Sequence, residues 1–256
     1  MKGNLRLSVA ANAGIKALAL VVSLVSTPLM MSFFSNDAVL GAWFTVLSVL
    51  NWISFFDFGI GNGLRNDLTY ALNKGDIEKA QIVVSSSIFV LGAVVVALIP
   101  LGVAASTLID WSSALAVDQG ELGTDSLVVC MTVVIVGTLI QLILKLVNSL
   151  LYAVQRNAAP ALLLFVSNCL ILLAVAFPPT LIGLGEKFMY MCVVEMVALS
   201  MPLVFAGFVL FSTELRSCIP AFRYVRSSYF RTLGSLGLKF FAIQIALLFV
   251  SSTNEL

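Results

Sequence analysis

Long apolar runs alternate with short polar breaks along most of this chain. A helix needs about 20 apolar residues to cross a hydrocarbon core about 30 Å thick. Runs of that order occur at residues 9–34, 39–60, 80–109, 126–154, 160–183 and 188–211, with a seventh starting near 232. The pattern predicts an all-α integral membrane protein, a polytopic helical bundle. Lys2 and Arg6 precede the first run as they would in a signal peptide, but the run continues through LALVVSLVSTPLMMSFF without a cleavage site, which predicts a retained helix.

The basic residues orient the bundle. Lys2 and Arg6, then Arg65, Lys74 and Lys79, then Arg156, then Arg216, Arg223, Arg226 and Arg231 fall in alternate connections. The opposite set holds Lys187 alone among basic residues, beside Asp37, Asp110, Asp118, Glu121, Asp125 and Glu186. By the positive-inside rule the N-terminus and the even-to-odd connections are cytoplasmic. Residues 1–211 then form a six-helix lobe, 212–231 a basic cytoplasmic linker and 232–256 a seventh helix that looks like the start of a missing second lobe.

Composition agrees: 60% of the 256 residues are hydrophobic and 11% are charged, against about 25% charged in a soluble domain. A net charge of +1 and the placement of the cations argue against nucleic acid as a partner. Histidine is absent, which removes the commonest general base and metal ligand. Cys130, Cys169, Cys192 and Cys218 are widely spaced and read as free thiols, not as a disulfide set or metal site. No cofactor, metal or enzymatic activity is expected. Asp57-Phe58-Gly59 lacks every other kinase element, and Gly59, Gly61 and Gly63 lie in no βαβ unit. These glycines read as the end of span two, giving an unusual backbone or tight packing. The following TYALNKGDIEKAQ reads as a short amphipathic helix, a Lys-Gly-Asp turn and the start of span three.

Ionisable groups at bilayer depth cost about 2.5–3.5 kcal/mol each on insertion scales, so their presence marks a cavity, a partner or a snorkelling route. Asn12, Lys16, Ser23 and Thr27 fall within about 60° on span one, and Thr138, Gln141, Lys145, Asn148, Tyr152 and Gln155 within about 100° on span four. Lys16 and Lys239 either snorkel or face a pathway. Lys145 lies deeper, among polar neighbours, and points to an internal, water-filled path suited to an anion. Arg65 either grips a phosphate or anchors a helix end. Asp57 and Glu195 are candidates for a coupling proton or sodium ion, or for structural pairing; Glu195, about two turns into span six, is the better ion candidate.

Three stretches carry a resemblance: FFDFGIGNGLRNDLTYALNKGDIEKA, LLYAVQRNAAPAL and LGLKFFAIQIALLFVSSTNEL. They resemble the loop between helices two and three, the four-to-five turn and the start of helix seven in bacterial polysaccharide transporters, the O-antigen flippase family of the MATE-like superfamily. The resemblance implies a MATE-like fold of two rocking six-helix lobes, of which this chain holds the first lobe plus the seventh helix. It implies multi-pass insertion in the bacterial inner membrane and movement of an undecaprenyl-diphosphate-linked oligosaccharide for surface polysaccharide (O-antigen, capsule or exopolysaccharide). Lys16, Arg65, Lys145 and Lys239 are then candidates to pair with the diphosphate, with Gln141, Asn148 and Tyr152 along the same path. Partners are the lipid-linked substrate, the bilayer, and polysaccharide polymerase and chain-length proteins. The alternatives are a cation-coupled multidrug exporter of the same superfamily, or a non-transporting membrane scaffold fragment. The basic linker, with interleaved Phe222, Tyr224, Tyr229 and Phe230, is expected on the anionic inner leaflet.

Overall fold

The structure, a computed structural model, describes residues 2–55, 59–180, 183–226 and 229. Asp57, Lys239 and the expected seventh helix lie outside the described residues. Ten helices follow in chain order among those described: α1 Lys2–Phe34, α2 Asp37–Phe55, α3 Ile60–Lys74, α4 Ile77–Leu108, α5 Trp111–Leu115, α6 Gln119–Leu122, α7 Thr124–Leu144, α8 Leu146–Ala153, α9 Ala159–Ala176 and α10 Leu184–Ser212. Two 3-10 turns, Arg216–Cys218 and Phe222–Tyr224, come after them. The described residues include no strand.

Five stretches are long and apolar enough to cross a membrane: Ala13–Phe34, α4, Thr124–Ala153 across α7 and α8, α9 and α10. The second expected span is α2, 19 residues long, or roughly 28 Å of helix. The architecture is that of a helical membrane bundle. α4 packs on α7, α7 on α10, α10 on α9 and α9 on α1, while α2 reaches α1, α7 and α10.

Local chemistry sets the boundaries and corrects several expected ones. Span two does not reach residue 60, because Gly59, at φ 66°, opens α3, a left-handed conformation that glycine adopts without steric cost. The amphipathic α3 is therefore longer than TYALNK suggests. It buries Ile60, Leu64, Leu68 and Ala71, the three-and-four spacing of a single helix face. Gly75, at φ 69°, ends α3, and the Asp76 carboxylate accepts from the Lys79 amide at 3.0 Å to start α4. α9 stops at Ala176, short of residue 183, before Pro178 and Pro179, since a residue preceding proline leaves the helical region.

Span four is interrupted. Lys145, at φ −61° and ψ −20°, separates α7 from α8. Its amide bonds Gln141 O at 2.8 Å, but its carbonyl accepts from the Asn148 amide at 3.0 Å, three residues on. That is a 3-10 tightening inside a membrane helix.

The acidic loop after α4 is folded, not open. Asp110 caps α5, accepting from the Ser112 and Ser113 hydroxyls at 2.6 Å each. These bonds, Ser112 first, hold the Asp110 carboxyl below its ordinary range. Lys187, the lone basic residue of this end, donates to Phe33 O at 2.7 Å, satisfying a carbonyl at the C-terminus of α1.

At the opposite, basic end the segment after α10 straps back over α4. Gln81 Nε2 donates to Ser217 O at 2.5 Å, and the amides of Ala221 and Arg226 donate to the Ser85 and Ser86 hydroxyls at 3.2 Å. Phe222 stacks on Phe89 with centroids 4.0 Å apart, and the Tyr229 hydroxyl donates to the Asp67 carboxylate on α3. Arg216, Arg223 and Arg226 remain exposed. The described part of the linker is thus tied to the lobe while Arg216, Arg223 and Arg226 face outward. Cys218, within this segment, is buried, and burial pushes its thiol up. Each neutral hydrogen bond contributes about 1 kcal/mol. Ser85→Ala with Ser86→Ala is therefore expected to raise maleimide labelling of Cys218 by roughly 10- to 30-fold, measured against Cys169 in the same sample. An unchanged rate would show that the strap is held elsewhere.

Candidate functional site

Two apolar cores occupy the ends of the bundle. One gathers Phe34, Val39, Trp43, Leu127, Phe188 and Met191 toward the acidic end. The other gathers Leu64, Leu68, Val83, Leu91, Leu150 and Leu215 toward the basic end. Between them lies a belt of buried polar residues, Thr138, Gln141, Ser167 and Glu195. Buried polar groups in a bilayer are retained where they are hydrogen-bonded or line water. Thr138 and Ser167 donate to carbonyls one turn back, at 2.7 and 3.1 Å; Gln141 and Glu195 line cavities.

The first cavity, about 200 Å³, lies among α7, α8, α9 and α10. Its polar wall is Gln141, Lys145, Asn148 and Ser167; Pro160, Leu163, Leu164, Leu199 and Leu203 form the apolar wall. The break at Lys145 opens directly onto it. Asn148 Oδ1 is buried there without a hydrogen-bond partner, the condition in which a polar atom takes a water or a ligand.

The second cavity, about 190 Å³, lies among α1, α2, α9 and α10. Ser23, Ser26 and Thr27 of α1, Asn168 of α9 and Glu195 of α10 line it with Met30, Phe44, Leu47 and Ile171. Glu195 is 9% exposed. The carboxylate faces hydroxyl and amide oxygens, the donor set of a proton or small hard cation.

Sites for drug-sized ligands run about 300–1,000 Å³. Both cavities fall below this, so each suits water and a small ion, not a glycan.

The structure separates residues that the helical arithmetic had grouped. Gln141, Lys145 and Asn148 converge on the first cavity, but Tyr152 does not: its ring lies 4.9 Å beneath the Arg65 guanidinium at the basic end. Arg65 is thereby held by a cation–π contact while remaining exposed on α3. Lys16 is exposed on α1. Lys16, Arg65 and Lys145 therefore occupy three different places. Nearby, Lys74 and Lys79 both approach the Tyr70 ring, at 4.5 and 4.7 Å. All four cysteines are free thiols.

Sequence reasoning missed Ser26, Ser167 and Asn168. The last two stood out as the polar pair in LLLFVSNCLILL and were open to the same helical-face argument as span four. It also missed Gly137, where a Cβ would fall 2.5 Å from Met196 Sδ, so a side chain there would force Met196 to move. Comparison with known protein families, with curated proteins and with solved structures gives no match to this chain. On its own geometry it is a helical membrane bundle with two small polar cavities between two apolar cores.

Proposed function

We propose that this chain is the first lobe of a transporter that carries an undecaprenyl-diphosphate-linked oligosaccharide across the bacterial inner membrane for surface polysaccharide synthesis, with its N-terminus cytoplasmic. The observation that carries the reading is that Lys145 and Glu195, both within spans, line polar cavities of the lobe, the second of them reaching its surface at Ser23, Thr27 and Phe44. Ionisable groups at that depth are functional by default. The polysaccharide-transporter resemblance at the three quoted stretches supports the cargo class. The basic end supports the side from which an anionic headgroup is taken up, with Arg65 exposed and Lys74 and Lys79 exposed beside it.

The cavity volumes refine how the work is divided. A glycan travels along the outside of this lobe, where Lys16 stands exposed on α1, while the interior serves the coupling ion at Glu195. A cation-coupled drug exporter is the second reading. It is favoured by the acid in its small polar cavity, while the resemblance at the three quoted stretches favours the glycan.

Complementation of a flippase-null strain tests the proposal, using the full reading frame that contains this chain. Surface polysaccharide should return; unchanged polysaccharide with altered drug resistance would select the exporter, and neither effect would select a scaffold. In the complementing protein, Lys145→Ala is expected to lower glycan export several-fold at unchanged membrane level. Export at the wild-type rate would reduce Gln141, Lys145 and Asn148 to packing.

A further inference from the structure

One continuous face of α9 lines both cavities. Pro160, Leu163, Leu164 and Ser167 border the first and Asn168 and Ile171 the second, a spacing of three and four residues without a gap. On α10 the same holds: Leu203 and Leu199 border the first cavity, and Glu195, one turn further, borders the second. Two cavities that share the same faces of the same two helices lie end to end. Along α9 they extend over 11 residue steps from Pro160 to Ile171, roughly 16 Å.

The near end of this line is the basic end. Pro160, in the first turn of α9, stands beside the 154–158 turn, and Asn148, six residues before that turn on α8, lies roughly 9 Å deeper. The far end is at Glu195 and the α1 hydroxyls. On the wall of the first cavity, Gln141 Nε2 contacts Met196 Sδ at 3.7 Å, and Met196 is seated against Gly137. Met196 follows Glu195 on α10, so the contact ties Gln141 to the turn of α10 that carries Glu195. An unbranched thioether is well suited to such a place, since it changes rotamer with little cost and fills irregular space.

We propose that the two cavities are one route by which a small monovalent cation, metal ion or proton, reaches Glu195 from the basic end, and that the Met196–Gln141 contact is its constriction. Gln141, Asn148 and Ser167 line the route as oxygen donors, and Lys145 sits at its entrance half. The inference rests on the reading of Glu195 as the coupling site, but not on the identity of the cargo. It reassigns the polar stripe of span four from cargo passage to ion access.

Silver ion, a small monovalent cation that reacts with thiols, provides the probe. The four native cysteines are replaced by alanine, and Ser167→Cys or Asn168→Cys is introduced singly. Arg156→Cys and Asp118→Cys, labelled with an impermeant maleimide, report which end faces out in vesicles of each orientation. Both interior thiols are expected to react with silver from the basic end. Met196→Ala and Gln141→Ala, which open the contact from either side, should each speed the reaction at Asn168→Cys several-fold and leave Ser167→Cys unchanged. Gel filtration identifies any variant that misfolds, and the other then serves. Reaction of Asn168→Cys from the acidic end alone, no reaction at Ser167→Cys from the basic end, or an Asn168→Cys rate in both opened variants equal to that of the unopened parent would overturn the route. Loss of glycan export with normal silver access would leave the route standing and count against the proposed cargo.

Discussion

Glu195→Gln is expected to lower polysaccharide export by about tenfold or more, since ion-to-cargo coupling is typically worth 1–3 kcal/mol. The substitution keeps the shape and the hydrogen-bonding oxygen and removes the charge. Its neighbours in the cavity, Ser23, Ser26, Thr27 and Asn168, remain able to bond the amide, so the membrane level should not fall. Stability in detergent should hold or rise slightly, because a buried neutral group is cheaper than a buried carboxylate. The residual export should also lose its dependence on sodium and pH. Those three readings together separate a coupling role from structural pairing: pairing would cost stability and leave the ion dependence in place. Wild-type export by Glu195→Gln would remove the coupling site and leave the second cavity without a function.

Trp43→Ala is expected to be the most destabilising single change. Trp43 of α2 is fully buried, with its ring edge-on to Phe188 of α10 at 5.9 Å and tilted against Phe34 of α1 at 6.2 Å. One side chain therefore joins three helices. Aromatic-to-alanine changes in cores cost about 3–5 kcal/mol, and for a chain of this size that lowers a Tm by on the order of 10 °C. Thermal unfolding in detergent, followed by a fluorescent ligand of newly exposed thiols, measures it. Trp43→Phe should cost far less, because the indole N–H is buried without a hydrogen-bond partner and phenylalanine removes that unmet donor. A large loss for both variants would mean that the ring's size matters more than its orphan N–H.

The spans were legible because length and hydropathy are properties of the local sequence. The interruption at Lys145 was not: LIQLILKLVNSLLYAV contains neither glycine nor proline, so nothing local announces it. Of the stripe, Gln141, Lys145 and Asn148 line one cavity, whereas Tyr152, one turn beyond Asn148, packs under Arg65. An advance of 100° per residue was carried straight through a point where the helix tightens. α5 and α6 were missed because helices of five and four residues are too short to show a period. The glycines near residue 60 were read as one device, whereas Gly59 carries the positive φ and Gly61 and Gly63 are buried within α3. For the site, Glu195 was visible as an acid in an apolar run, but its cavity partners come from α1 and α9, and pairing across helices is set by packing.

The tightened turn at Lys145 also divides span four mechanically. Above it, α7 is packed on α4 and α10; below it, α8 packs chiefly on α3. A single unbroken helix would transmit any tilt of its basic half to its acidic half. With the tightened turn, α8 takes its direction from α3, which is itself packed on α4, while α7 follows α4 and α10. The two halves of one span thus answer to different neighbours.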